Sequence, residues 1–224
     1  MNRRFLFPIL IMAMVGVLAA KPQATEAEDA RALLNKVTKA LGAEGLKTLR
    51  YTGTGSSYIP ATDSDPASSW THTVMKSYVL DLNLDAITSH VQIVRTEATD
   101  RTLNYVADAK SPWSLHEFWL TPYGFLKGAA MYNATAEPRT VFGTTFRTLT
   151  FTLPNGHKVV GYINDKDLVE KVETWIGEKG DQQIEANYRD YADFNGVKVP
   201  TMITQKHAGM LSLIVMVKDV QVGK

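Results

Sequence analysis

The chain has 224 residues, of which 45% are hydrophobic and 21% charged, so its composition is that of a globular protein rather than a disordered or fibrous one. It contains no cysteine, which excludes disulfide scaffolds, zinc fingers, iron–sulfur clusters, thiol catalysis and lipid attachment through an N-terminal cysteine. With 24 basic and 23 acidic residues the net charge is +1, which gives no electrostatic argument for nucleic-acid binding.

The N-terminal residues predict an export signal at 1–20. Arg3 and Arg4 precede an apolar run at 5–20, and small residues follow, which is the layout of a secretory signal. The run is shorter than the roughly 20 residues of a membrane-spanning helix, and Pro8 interrupts it. Cleavage at the end of this segment removes two arginines and leaves a net charge of −1. We therefore expect a periplasmic or secreted protein with only peripheral membrane contact; an uncleaved N-terminal anchor is the alternative.

The segment 26–41 is predicted to form an amphipathic helix. Thr25 and Glu28 have the spacing of a capping box, and apolar side chains then recur at helical spacing as far as Leu41. Gly42 stands where a helix commonly ends in a left-handed residue. The helix therefore presents one apolar stripe for packing against the rest of the chain.

Strand signals begin at Lys47. The segment 49–56 is rich in Thr and Tyr, and its glycines indicate close packing or a bulge. An exposed loop is predicted at 60–69, where Ser, Pro and Asp are abundant. Strand formers return at 70–84, with leucines on one face and Asp or Asn on the other, and again at 90–96.

This pattern is interrupted at about 111–133, where two short helices are predicted. Ser111-Pro112 and Thr121-Pro122 each place a capping side chain before a proline at the first helical position. Aromatic and small residues dominate both segments, which we interpret as a helical insertion in the sheet.

The remaining chain is predicted to form a meander of antiparallel hairpins. Alternating strand patterns over 146–222 are separated by short turns, among them 154–156, 164–167 and 195–196. No strand–helix–strand alternation occurs, so a parallel sheet is not expected.

The last predicted strand is apolar on both faces over 211–217. A sheet with one solvated face alternates apolar and polar residues, so we expect both faces of this strand to be covered. Two architectures satisfy the expectation. One is a sheet curved around an apolar interior with helices on its concave side, and the other is an ordinary sandwich.

The sequence contains no motif for catalysis, metal binding or phosphate binding. The five histidines are too widely spaced for a zinc-hydrolase motif, and His116-Glu117 does not complete one because residue 120 is leucine. His157 follows a turn and is interpreted as a solvated turn residue. No G-x-S-x-G, Walker or complete dinucleotide motif occurs. We therefore expect no cofactor, no metal and no enzymatic activity.

Aromatic side chains of the insertion are the strongest candidates for a binding function. They form either an ordinary part of the core or a mobile lid over an apolar pocket. With neighbouring apolar residues and two from the last strand, the candidate ligand-binding residues are Trp113, Phe118, Trp119, Tyr123, Phe125, Leu126, Leu213 and Val215.

A family resemblance rests on the order of elements and on one closing stretch. Tyr188-Arg189-Asp190-Tyr191, followed by Asn-Gly-Val-Lys-Val-Pro-Thr at 195–201, is similar to a run common in lipoprotein-sorting domains. The chain as a whole resembles the periplasmic lipoprotein carriers LolA and LolB. The resemblance implies a half-barrel of antiparallel strands whose apolar cavity is closed by helices, and it transfers no ligand residue individually.

A closer resemblance is to the exported region that precedes some bacterial metallo-β-lactamase-fold hydrolases. The segments 119–129, 161–165 and 169–175 are similar to its helical insertion and central hairpin. The metal motif H-x-H-x-D-H of the hydrolase has no counterpart here. The resemblance therefore implies a fold and an exported location, without catalysis.

Together these observations predict an α+β fold: a curved, half-barrel-like antiparallel sheet with an N-terminal amphipathic helix and a short helical insertion. One domain is expected at 21–224, with its helix in 21–46 and the sheet in 47–224. The expected function is binding of a hydrophobic small molecule, such as a lipid or lipoprotein acyl chain. The alternative is an interaction module, without a cavity, for a hydrolase or another envelope protein.

Overall fold

The computed structural model describes residues 23–59, 71–96, 101–108, 115–177 and 182–224. The predicted export signal, the predicted loop at 60–69 and Trp113 lie outside these residues. Within them the chain forms α1 (Gln23–Ala40), β1 (Thr48–Ile59), β2 (Thr71–Asn83), β3 (Thr88–Arg95), β4 (Arg101–Ala107), α2 (Leu115–Leu120), α3 (Pro122–Met131), β5 (Thr135–Val141), β6 (Thr144–Thr152), β7 (Lys158–Ile163), β8 (Val169–Ile176), β9 (Gln182–Phe194), β10 (Val197–His207) and β11 (Met210–Gly223).

Strands β1 to β11 form one large antiparallel sheet in the order β4-β3-β2-β1-β11-β10-β9-β8-β7-β6-β5. The first and last strands pair with each other within the sheet, and the two edge strands, β4 and β5, are consecutive in the chain. The helices α2 and α3 connect these edges. The sheet is curved and unclosed, which confirms the predicted half-barrel-like α+β fold.

The predicted glycine-rich strand is where β1 departs from regular pairing. Register shifts occur on both sides of Gly53, against β11 and against β2. A Cβ atom at Gly55 would lie 1.9 Å from the carbonyl oxygen of Ile214, so only glycine permits this approach of the strands. Bulges of this kind increase local twist and bend a sheet, and they contribute to the curvature here.

Helix α1 ends where the sequence indicates and is held against the β9–β10 turn. The amides of Gly42 and Ala43 donate to the carbonyls of Lys39 and Thr38, a Schellman arrangement, with Gly42 at φ +63°. The Lys198 amide donates to the carbonyl of Leu41 at 2.9 Å. We call the end of the sheet that carries this contact the α1 end, and the opposite end the far end.

Two strands were not predicted, and both are edges of the sheet. The edge strand β4 is exposed along most of its length, so it lacks the alternation of a half-buried strand. The edge strand β5 contains Pro138 between charged residues. Proline is tolerated at an edge because one side of that strand needs no ladder hydrogen bonds.

The inner face of the sheet packs against the helices and forms one apolar core. Its residues include Leu49, Leu80, Val91, Leu149 and Val172. Fully burying a side chain of this size contributes roughly 1.5–3 kcal/mol, so this face dominates the stability of the fold.

The expectation that both faces of the last strand are covered is wrong. Leu213 and Val215 on β11 point to the inner face and are buried, but Met216 is 45% exposed on the outer face. Ile214, on the same outer face, is only half-buried. The doubly apolar pattern therefore indicates one buried face and an exposed apolar strip, not a second packed layer.

Candidate functional site

The centre of the half-barrel is occupied by side chains of α2 and α3. Phe118 and Phe125 are fully buried, and Trp119 is nearly so. The rings of Phe118 and Trp119 meet edge-on at 4.8 Å, and those of Phe125 and Phe151 lie 5.8 Å apart. Such ring pairs add to the stabilisation from burial alone. The helical insertion thus forms an aromatic plug against the inner face.

Helix α3 is locked into the sheet by two close approaches at glycine. The Phe125 ring lies over Gly161 of β7, where an added Cβ atom would be 2.2 Å from the ring. In the same way, a Cβ atom added at Gly128 of α3 would be 2.3 Å from the ring of Phe151. The predicted start of the helix is confirmed, because the Thr121 hydroxyl accepts a hydrogen bond from the Gly124 amide at 3.0 Å.

Helix α2 is shorter and crosses the interior, touching β3 and β4 on one side and β8 on the other. Its last carbonyl, on Leu120, accepts a hydrogen bond from the Tyr188 hydroxyl. Near its start, the Glu117 carboxylate accepts one from Gln205 at 3.0 Å. Polar contacts to β9 and β10 therefore hold α2 at both of its ends.

A cavity of about 550 Å³ opens beside α2 at the far end of the sheet. This volume lies within the range of about 300–1,000 Å³ that is typical of small-molecule sites. The wall is mostly apolar and comes from α2, the end of α3, the β6–β7 turn and the end of β8. It includes Leu115, Trp119, Tyr132, Leu153 and Ile176.

Polar groups are confined to a few positions in this wall. His116 and His157 both line the cavity, and the Nδ1 atom of His157 lies 3.3 Å from the side-chain nitrogen Nδ2 of Asn155. Thr174 is already satisfied, since its hydroxyl donates to the Lys158 carbonyl at 2.8 Å. His157 is half-buried here, so the interpretation as a merely solvated turn residue missed its position in the cavity wall.

A second cavity of about 550 Å³ has a different character. It lies at the α1 end on the outer face, where Arg50 and Asp81 form an ion pair at 2.9 Å and His90 lies 3.9 Å from the same carboxylate. These side chains are well exposed, so water and salt screen their interactions. The apolar cavity at the far end is therefore the better candidate for a functional site.

The Glu117 carboxylate lies beside the plug and is partly exposed. Burial acts to raise the pKa of Glu117, but hydrogen bonds from His116 and Gln205 and the charges of His116 and His207 outweigh it, and the pKa is lowered. Burial lowers the pKa of His207. Burial, with a smaller contribution from Glu117, raises the pKa of Tyr51. Glu117, His116 and His207 thus form a partly exposed polar cluster next to the aromatic side chains of the plug.

The predicted ligand-binding residues fall into three groups. Trp119 lines the apolar cavity. Trp113 lies outside the described residues. The others are buried in the core away from the cavity wall: Phe118, Tyr123, Phe125 and Leu126 in the plug, and Leu213 and Val215 on β11. The residues missed by sequence reasoning are Leu115, His116, Tyr132, Leu153, His157 and Ile176.

Across the described ranges, no three His, Asp or Glu side chains converge in a way that could hold a metal ion. No helix in that part of the chain is both long enough and apolar enough to cross a membrane.

No protein-family model matches the chain, and no curated protein matches it significantly. Solved structures do. A DUF1329 family protein from Desulfovibrio piger superposes with a TM-score of 0.51 at 10% identity, covering 88% of this chain and 93% of its own. A LolA superfamily protein from Nitrosomonas europaea gives 0.52 at 11% identity, covering 87% and 94%. At these identities the likeness concerns the fold, and the chain has a LolA-like fold.

Proposed function

We propose that this protein is an exported, non-catalytic domain that binds a hydrophobic ligand, a lipid or an acyl chain, at the far end of its half-barrel. The observation that carries the proposal is the cavity of about 550 Å³ with mostly apolar walls, directly beside the aromatic plug. Apolar walls with few polar groups are typical of sites for hydrophobic ligands. The lipoprotein-carrier resemblance implies the same class of ligand.

Helix α2 is the lid in this proposal, and α3 is its fixed base. Ring-to-glycine contacts lock α3 into β6 and β7, whereas α2 is a six-residue helix held by hydrogen bonds near its two ends. Outward movement of α2 would join the cavity to the space of Phe118 and Trp119. The ligand would then replace the aromatic contacts that α2 gives up, at about 25 cal/mol per Å² of apolar surface buried.

Native mass spectrometry of protein purified from the periplasm of its expression host tests the proposal. We expect a mass consistent with removal of residues 1–20 and a co-purified hydrophobic ligand. Displacement of a fluorescent fatty acid then measures the affinity of the delipidated protein.

Ile176→Asp places a negative charge in the apolar cavity wall and is expected to weaken binding of the fatty-acid probe at least about tenfold. Phe142→Ser is the matched control, because Phe142 is fully exposed at the β5–β6 turn, away from the cavity. If Phe142→Ser abolishes binding and Ile176→Asp leaves it intact, the probe adsorbs to the surface, and this result contradicts the proposal. So does wild-type protein that carries no ligand and binds no probe.

A further inference from the structure

Three polar side chains interrupt the apolar inner face of the sheet near its far end. They are Ser57 on β1, Thr73 on β2 and Arg95 on β3, and all are buried. Arg95, only 8% exposed, shares its face of β3 with the core residues Val91 and Ile93. A charged side chain buried to this degree is normally paired, so its surroundings need an explanation.

The strand register brings the three side chains together. Ser57 lies directly opposite Thr73, and Arg95 lies opposite Met75, two residues from Thr73 on the same face. Directly opposed Cβ atoms are about 4.5–5.5 Å apart and diagonal neighbours about 7–8 Å, which is within reach of an arginine side chain. The guanidinium group and the two hydroxyls therefore point into one region of the interior.

Two of these groups have no partner within the part of the chain that the structure describes. There, the Nε atom of Arg95 and the hydroxyl of Ser57 are buried without a hydrogen bond. By contrast, Arg50, Arg139 and Arg147 each form an ion pair with a carboxylate. A buried donor without an acceptor is costly, and more so when it carries charge.

We propose that Arg95, Ser57 and Thr73 bind the oxyanion of the ligand's head group, a carboxylate or a phosphate. A guanidinium with two hydroxyls offers the charge and the donors that such a group requires. The inference rests on the proposed function and narrows its ligand to an anionic amphiphile. Arg95 and the apolar cavity both lie at the far end, and α2 contacts both β3, the strand that ends in Arg95, and β8, the strand whose end lines the cavity. An amphiphile that displaces α2 reaches both.

The test compares ligands of one chain length and different head groups. Oleate, oleyl phosphate and oleyl alcohol are titrated into delipidated wild-type protein and into Arg95→Met, with inorganic phosphate as the free-anion arm. Wild-type protein is expected to bind oleate or oleyl phosphate at least about tenfold more tightly than oleyl alcohol, the usual effect of a charge-assisted hydrogen bond. Arg95→Met is expected to lose this preference and to keep its affinity for the alcohol.

Controls separate a local site from general electrostatics. Arg50→Met removes an exposed arginine of the outer face and is expected to keep the preference, whereas Arg95→Lys is expected to retain part of it. If Arg95→Met does not fold, the double variant Ser57→Ala/Thr73→Val carries the test, with an expected severalfold loss for the anionic ligands only. Saturable binding of inorganic phosphate alone would identify a free-anion site and overturn the head-group assignment.

Other outcomes are distinct. Equal binding of oleate and oleyl alcohol by wild-type protein would overturn the inference and leave the proposed function standing. An unchanged preference in Arg95→Met would also overturn it. Failure of all the amphiphiles to bind would instead contradict the proposed function.

Discussion

The contact between Gly161 and Phe125 is the sharpest test of how the helical plug is seated. In Gly161→Ala the new Cβ would stand 2.2, 2.4 and 2.6 Å from three carbons of the Phe125 ring. Carbon atoms in contact normally lie about 3.5–4.0 Å apart, so the ring would have to retreat by about 1.3 Å. Phe125 is fully buried and packs against Phe151, so it has little room to move.

The magnitude follows from two opposing effects. Overpacking a filled core costs about 1–3 kcal/mol. Replacing glycine within a strand recovers about 0.5–1 kcal/mol of backbone entropy. Because Phe125 has little room to move, the upper part of the overpacking range, about 2–3 kcal/mol, applies here. We therefore expect Gly161→Ala to lower the free energy of unfolding by about 1–2.5 kcal/mol, which corresponds to about 2–4 °C in Tm for each kcal/mol in a chain of this size.

Urea denaturation followed by tryptophan fluorescence measures this change, and a double-mutant cycle assigns its cause. Leucine at position 125 has no atoms where the outer ring carbons of Phe125 lie. Gly161→Ala/Phe125→Leu is therefore expected to be more stable than the sum of the single changes predicts, by at least about 0.5 kcal/mol. Additive effects, or a Gly161→Ala variant as stable as the wild type, would refute the packing of α3 on β7.

Tyr188→Phe leaves the buried carbonyl of Leu120 without its hydrogen-bond donor, so we expect the free energy of unfolding to fall by about 1–3 kcal/mol. We also expect faster amide hydrogen exchange in α2 than in α3 of this variant, and equal exchange rates in the two helices would contradict the assignment of α2 as the lid. The pKa values of His207 and Glu117 lie below their ordinary values, so the folded state binds fewer protons than the unfolded state. Stability is then lost as pH falls, first below about 6.5 because of His207 and then below about 4.5 because of Glu117. In a plot of the free energy of unfolding against pH, His207→Gln is expected to flatten the first part and Glu117→Gln the second. Glu173 is 4% exposed, and its carboxylate accepts three hydrogen bonds. Glu173→Gln is therefore expected to lower the free energy of unfolding, measured by urea titration, by about 2–3 kcal/mol. A change below about 0.5 kcal/mol would show that this hydrogen-bond network contributes little to stability.

The local elements of the fold could be predicted because their signals are local. Thr121-Pro122 specifies the start of α3 through one hydrogen bond within four residues, and Gly42 specifies the end of α1 through its positive φ. Asn195-Gly196 specifies the β9–β10 turn in the same way. Strands with one buried face were found because apolar and polar residues alternate along them. The exposed edge strands β4 and β5 show too little of this alternation to be recognised.

The candidate site could be predicted only in part, because its residues come from distant parts of the chain. Trp119 was identified from the aromatic content of the insertion, but Leu153 and Ile176 reach the same cavity because α2 packs against β8 and α3 packs against β6. Arg95 could have been predicted from the sequence in part. Its spacing from Val91 and Ile93 already placed it on one face of β3, and that pattern could have identified it.

The sequence by itself determined the antiparallel meander, the helical insertion and the turns, since each depends on the residue types within a few positions. The tertiary structure decided that β1 pairs with β11, that α2 and α3 fill the interior, and that the apolar cavity opens at the far end. It also decided that one face of 211–217 stays exposed. The physical reason is that burial depends on which elements meet, and long-range packing of the plug against the sheet is not encoded in any short segment.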